Sequence, residues 1–568
     1  MASAVVTALG EVFVTGALSD CDVVFCLEEG SPAETAGAPA DPAHAASVPA
    51  VVGEPLPGHS LVLCLASERF RAQVGVERWA DDAAETSSST ASRRPQLRVP
   101  LGSEAEAPFA RAAIGYAYTG QVAAVGVSEV LEVRRQAGYL QISGCAAACD
   151  ELLMGMLAVA DGEGNGQQAA AAATATAAAT AVAGTSSFPA AAAELVACWA
   201  LLPDPVDDPS FAPILAAAEG ALLRHFGDVL AVLNTPPLRQ QLLQLPAAVV
   251  EALLGSEAFG TDTEDSVLLL LATWMKANHS QTDAATRARL CRLVRLVQLS
   301  RPYLTAVLLA LAADYETGAG GSPCAWLPIS VAEAGFITAL ATAPAGREKE
   351  ATLRVGEQLY ITQSPWYSAS PRPQCLSAEG RTFEWAISQQ ELRAALRQLQ
   401  PKDAVRMLGP FEGGDRPCAR GFEWKVVCQV QHKATSAGCF LECAMPAAYD
   451  VPGSRLGSGS KVAAVVGLDA CLAVRSWGHG AYFHDFVAAW PSFCAGRVLK
   501  VEAAGDDSPL VLPLAQPQPT YDGSGGCFRL LAGWAALMRN GRLAGTLTVL
   551  PPFTAVMRSE DAECEEST

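Results

Sequence analysis

The chain is short of the residues on which most enzymes and nucleic-acid readers depend. It carries 39 Lys and Arg against 59 Asp and Glu in 568 residues, a formal net charge of −20. Phosphate surfaces demand clustered cations, so neither a nucleic acid nor a membrane is expected as a partner. The 17 cysteines are scattered, with no Cys-x-x-Cys pair. Cys145/Cys149 and Cys439/Cys443 are spaced CxxxC but have no histidine nearby in sequence to complete a zinc set, so no metal is expected. The cysteines read as small core residues in a reducing compartment, cytoplasmic or nuclear. HExxH, GxSxG and GxxxxGK[ST] are absent, and neither GEGNGQ (162–167) nor GSGSK (457–461) has phosphate-loop spacing. No catalytic residue and no cofactor is expected. No run of about 18 strongly apolar residues occurs, so no membrane span is expected. The opening MASAVVTALGEVFVTG has no basic stretch ahead of its apolar residues, so no secretory leader is expected.

What is present is apolar. Half of the residues are hydrophobic, enough for several cores, and the length suggests roughly three or four domains. Three stretches lack periodic large apolar residues: 29–48, 81–94 and the alanine-rich 161–190. Such segments bury too little surface to offset the entropy of ordering, so they are expected as insertions or linkers.

Between them the periodicity is clear. DCDVVFCL and PQLRVPL read as strands. HSLVLCLASERFRAQV reads as a helix with Leu61, Leu65 and Phe70 on one apolar face. EAPFARAAIGYAYTG, SEVLEVRRQAGYLQI and CAAACDELLMGML read as further helices, so residues 1–157 are expected to be α+β. Residues 191–315 read as nearly all helix, with Pro246 starting and Gly255 stopping one of them. TDTEDSVLLLLATWMKA follows, with Thr261 or Thr263 as N-cap and acids in the first turn. In TRARLCRLVRLVQL, Arg292 and Arg295 read as a solvated stripe. The stretch 316–379 reads as linker or irregular. From 380 to 556, short alternating runs separated by Gly, Pro, Asp and Ser suggest a mostly antiparallel β-sandwich anchored by Trp385, Trp424, Trp490 and Trp534. Residues 557–568 form an acidic tail.

The order SDCDVVF, LPGHSLVLCLASERFRAQV, LRVPL, FARAAIGYAYTGQV and RRQAGYLQISGCAAACDELL resembles the BTB (POZ) domain over about residues 10–155. Asp22, His59, Ser67, Phe70, Tyr118, Gly120, Tyr139 and Leu140 stand where that family places its recurring residues. The resemblance implies structural roles for Asp22, His59 and Phe70, with His59 capping and orienting its helix. LPAAVVEALLGSEAFGTDTEDSVLLLLATWMKA resembles the BACK domain that usually follows, over about 191–312, with LLPDPVDDPSFAP (201–213) as a departure. The C-terminal region carries no repeat and no kelch signature. Through FEWKV, VVGLDACLAV, RVLKV and LAGWAALMRNGRLAGTLTV it is similar to the MATH-like sandwich of plant light-response BTB-BACK proteins.

These resemblances imply an adaptor. BTB domains usually pair as homodimers, here through AVVTALGEVFVTGALSD, with side chains such as Val5, Leu9, Val12 and Leu18. Many BTB-BACK proteins dock cullin-3 and hold a protein substrate near a ubiquitin-loaded enzyme, so that proximity is their contribution. The family's hydrophobic-x-acidic contact loop matches Trp79-Ala80-Asp81 best, and Tyr118, Trp199 and Phe226 could line the same surface. In the sandwich, SWGHGAYFHDF presents Trp477, His479, Tyr482 and Phe483 as a candidate substrate-binding loop. The rival implication is a dimeric BTB scaffold or transcriptional co-regulator without ubiquitin chemistry.

Overall fold

The computed structural model describes residues 2–27, 50–75, 94–159, 188–198, 201–203, 207–318, 321–400, 403–431, 436–457, 465–478, 481–496, 510–513 and 537–552. The insertions 29–48 and 81–93, the alanine-rich 161–187, and Trp79, Asp81, Trp199, His479 and Trp534 lie outside them. The chain divides into two compact units, Met1–His225 and Phe226–Thr568.

The first unit is α+β. Helix α1 (Ala2–Thr15) precedes strands β1 (Cys21–Leu27), β2 (Leu56–Gly58) and β3 (Gln96–Leu101), which form a sheet in the order β2-β1-β3. β1 is antiparallel to β2 and parallel to β3. CDVVFCL is almost continuously buried, as expected of a central strand covered on both faces. Helices α2 (Ser60–Ala66), α3 (Ala107–Thr119), α4 (Val127–Tyr139), α5 (Cys145–Val159) and α6 (Ala190–Ala197) follow. α3 packs on α1, α2 and α4, and α4 packs on α5 and α6. α3 closes on Gly120, whose left-handed φ of 63° lets its N–H return to Tyr116 O.

The apolar face read on α2 is corrected. Leu63 and Phe70 are in the core, whereas Leu61 and Leu65 are each 71% exposed. The helix stops at Ala66, and Ser67 adopts an extended conformation that bridges to Ile142 before the chain turns helical again over 68–75. That break shifts the phase, so a single 3.6-residue stripe cannot run from Leu61 to Phe70.

In α7 (Ala212–Phe226), Phe226 is fully buried. The second unit continues with α8 (Val229–Asn234), α9 (Pro236–Leu243), α10 (Ala247–Gly255), α11 (Glu264–Asn278) and α12 (Ala284–Arg292), and a π-helix, Tyr303–Leu308, leads into α13 (Leu309–Thr317). The linker expected over 316–379 is corrected in part: α14 (Val331–Thr342) packs on α13, and α15 (Arg347–Gly356) packs on α14. Ala334, Ile337 and Leu340 give α14 a buried stripe that the surrounding alanines and glycines hide in the sequence.

The C-terminal part holds two antiparallel sheets. One contains β4 (Arg381–Ser388), β9 (Val465–Gly478), β10 (Ala481–Gly496), β12 (Met538–Arg539) and β13 (Arg542–Val549). The other contains β5 (Ala404–Gly409), β6 (Cys418–Ala419), β7 (Phe422–Gln431), β8 (Ser436–Ala444) and β11 (Leu510–Pro513). Helix α16 (Gln389–Arg397), started by a Ser388/Glu391 capping box, packs on β4 and β5. The buried Trp385 of β4 reaches across to Gly409 of the other sheet, so the two sheets meet at its ring. Trp424 is also fully buried, while Trp490 stands in β10.

Candidate functional site

In the first unit, the residues expected to be structural form one node at the start of α2. His59 occupies the N-cap position with extended dihedrals but makes no side-chain cap. The capping carboxylate is Asp20, which accepts from Ser60 N–H at 2.7 Å and from Ser60 Oγ at 2.6 Å. Burial works to raise Asp20, but these hydrogen bonds outweigh it and hold the carboxyl below its ordinary range. The expected cap is thus corrected from His59 to Asp20, because a carboxylate arriving from outside the helix reaches the orphan N–H better than the His59 ring does. His59 instead ties segments together: its Nε2 lies 2.8 Å from Ala17 O, and its backbone N–H donates to the Tyr118 hydroxyl at 3.0 Å. Asp22 pairs along β1 and faces Arg94 at 3.8 Å.

Tyr118 is 2% exposed, with its ring 4.8 Å from that of Phe13, and burial pushes its hydroxyl up to about 12. Its expected place on a partner surface is therefore corrected to the core. Tyr118 meets a ring on one side and a hydrogen-bond donor, the His59 N–H, on the other, which suits an amphipathic side chain inside a fold. Among the large apolar side chains this unit exposes are Val5, Val6, Val14 and Leu18 around α1, and Leu61 and Leu65 on α2.

The second unit holds a buried ionic hub that the sequence reading missed. Asp262, Glu264 and Asp265 are all 6% exposed or less. Asp262 accepts from Thr263 N–H and from Arg420 N–H, at 2.7 and 2.6 Å. Glu264 accepts from Arg295 N–H at 2.8 Å and faces Arg372 at 3.3 Å. Asp265 accepts from Ser300 N–H at 2.8 Å through one oxygen, while its other oxygen has no hydrogen-bond partner. Arg372 spends its remaining donors on Leu254 O, Ser256 O and Leu293 O. Burial raises all three carboxyls, Asp265 to about 7, and lowers Arg372. The Arg372–Glu264 attraction thus does not fully offset what both groups lose on leaving water.

The hub anchors the sheets to the helices. The turn between β6 and β7 enters at Arg420 and Gly421, both with positive φ. Gly421 donates to Ser266 Oγ at 3.0 Å and accepts from the Tyr303 hydroxyl. A Cβ at Gly421 would collide with that hydroxyl, so the close approach requires glycine. Arg420 completes the link by pairing with Asp469 of β9. The solvated stripe expected at Arg292 and Arg295 is corrected at Arg295, which is 5% exposed and paired with Glu257 at 2.5 Å. α12 ends at Arg292, so helical periodicity no longer describes residue 295.

Beside the hub runs an open groove of about 640 Å³ between α9, α11 and the loops 414–418 and 446–448. Its floor includes Leu233, Leu243 and Leu269, and its rim carries Arg239, Lys276 and Arg416.

Of the residues expected in a substrate loop, Trp477, Tyr482 and Phe483 stand in strands rather than in a loop. Trp477 of β9 pairs with Tyr482 of β10, and the register slips between Tyr482 and His484, at Phe483. The Arg539 guanidinium lies 4.4 Å from the Trp477 ring centroid. The alternation of aromatic and small residues that read as a loop is pairing between β9 and β10. Among the described residues no cluster could hold a metal ion, and no helix is long and apolar enough to cross a membrane. The described cysteines are free thiols, most of them buried.

Residues 213–309 match the model of the BACK family (BTB And C-terminal Kelch). This is the all-helical stretch from α7 to the start of α13. No curated protein matches the chain.

Proposed function

We propose that the chain is a substrate-recruiting adaptor of a cullin-3 ubiquitin ligase. The BACK match at 213–309 carries this reading, since that region is typical of such adaptors and mediates protein–protein contacts. The first unit would act as the BTB-like module that dimerises and docks the cullin, and the C-terminal sheets would bind the protein substrate. Ubiquitin transfer belongs to the partners, and this chain supplies proximity and orientation.

The cullin contact is proposed at Trp79 and Asp81. A tryptophan seated in a partner groove is the residue type that most often dominates an interface. The test is binding of the full chain to the cullin-3 N-terminal region beside a Trp79→Ala, Asp81→Ala variant. Nanomolar to micromolar binding that weakens by about tenfold or more in the variant is the expected result. Retained binding moves the contact elsewhere, and no binding by a dimeric wild-type chain replaces the adaptor with a scaffold.

Dimerisation is proposed through the exposed α1 and α2 side chains. Leu61 and Leu65 are mostly solvent-exposed, so Leu61→Glu with Leu65→Glu leaves the core of the unit intact. Light scattering is expected to report a dimer for the wild type and a monomer for this variant. A variant of dimeric mass would reject this face.

A further inference from the structure

The groove beside the hub pairs an apolar floor with three cations, Arg239, Lys276 and Arg416, against two acids, Asp415 and Glu423, in a chain of net charge −20. Arg239 is engaged by Asp415 at 2.5 Å and Arg416 by Glu423 at 3.0 Å. Lys276 is exposed, and among the described residues its amine meets a carbonyl, Ala447 O at 2.6 Å, and no carboxylate. Asp415 is itself half exposed and follows Gly413 and Gly414, both at positive φ. An incoming carboxylate can therefore take its place on Arg239 with little rearrangement, and a second can reach Lys276. The groove fits an extended segment that carries both large apolar side chains and acids.

We propose that this occupant is the chain's own segment 553–568, FTAVMRSEDAECEEST, which lies outside the described residues. Its composition fits: Phe553, Val556 and Met557 are apolar, and Glu560, Asp561, Glu563, Glu565 and Glu566 stand against a single Arg558. Its path fits as well. β13 ends at Val549, and Leu550 N–H donates to Asp469 O at 2.9 Å. Asp469 pairs with Arg420, which lies two residues beyond the groove residue Cys418. The segment thus starts from a strand end tied, through Asp469 and Arg420, to residues that flank the groove. The eight residues 553–560 reach about 26 Å when extended, which is the span open to the first acids. The seated segment excludes any other peptide from the groove until it is displaced. If the chain is an adaptor, that exclusion makes the segment a built-in competitor of targets; the contact itself does not depend on the adaptor reading.

Hydrogen exchange of the full chain tests the contact. Amides of 553–568 are expected to exchange about tenfold or more slowly than in the same sequence as a free peptide. Lys276→Glu should return them to the free-peptide rate, and adding Glu560→Lys with Asp561→Lys should restore protection. Should Lys276→Glu lower the melting temperature, Glu560→Gln with Asp561→Gln in the tail provides the same loss without touching the groove. Free-peptide rates in the wild type overturn the proposal, as does protection indifferent to these substitutions. Protection that falls on dilution overturns it too, because the occupant is then the segment of a second copy. None of these readouts involves cullin binding.

Discussion

Arg372→Ala is expected to destabilise the second unit by about 3–5 kcal/mol, the scale for stripping one partner from a buried ion pair. Arg372 and Glu264 have side chains only 2% exposed, so Glu264 would be left charged, buried and without its counter-ion. Three backbone carbonyls, at Leu254, Ser256 and Leu293, would lose a donor in the same step. Urea unfolding of the full chain, followed through the tryptophans of the second unit, measures the loss. Glu264→Leu with Arg372→Met should recover a good part of it, because burial works against both charges of the wild-type pair. A single variant as stable as the wild type would show that water reaches Glu264.

Asp265→Asn is expected to remove a large part of the pH dependence of stability. The folded-state carboxyl sits at about 7 against an ordinary value of 3.8. Between these values the folded chain holds a proton that the unfolded chain has released, so stability falls as pH rises through that window and is lowest above it. At 1.36 kcal/mol per unit, Asp265 withdraws about 3 kcal/mol between pH ~4.5 and ~7.5. The asparagine variant should therefore gain on the wild type by about that amount across the same interval. Asp262 and Glu264 are raised in the same sense, so the slope of the variant should shrink without vanishing. Asp20 in the first unit has the opposite sign, contributing stability above its unfolded value and losing it on acidification. Parallel stability curves for variant and wild type would show that Asp265 is not protonated in the fold.

The hub explains where sequence reading stops. Glu264 and Asp265 do stand in the first turn of α11, and Pro246 and Gly255 do bracket α10 as read. The acids were legible as helix-dipole partners, yet their burial was not, because their partners Arg372 and Arg420 lie 108 and 158 positions from Glu264 and Asp262. One local signal was available: SVLLLLAT is apolar all round, so α11 is buried on every side and acids heading it must be buried with it. Leu61 and Leu65 failed differently, through the extended Ser67 that no propensity marks. Tyr118 was ambiguous because a tyrosine near a helix end serves a core or a surface equally well until His59 and Phe13 are placed around it. The BACK region was legible because it repeats a pattern of helix starts, stops and buried leucines along contiguous sequence.

The position of β13 has a mechanical consequence. The strand lies between β4 and β9, paired with β4 along its whole length from Arg542 to Val549 and with β9 from Gly545 onward. At Gly545 it runs against Ala473 O and the Trp385 ring with no room for a side chain. A translocating unfoldase that grips the residues following Val549 would have to slide this strand out lengthwise, loading both ladders at once instead of one bond at a time. Force applied there is shared with β9, and through Asp469 and Arg420 with the helices, so resistance to extraction is set by the whole second unit. A pull from that end would meet a late, abrupt rupture instead of gradual peeling.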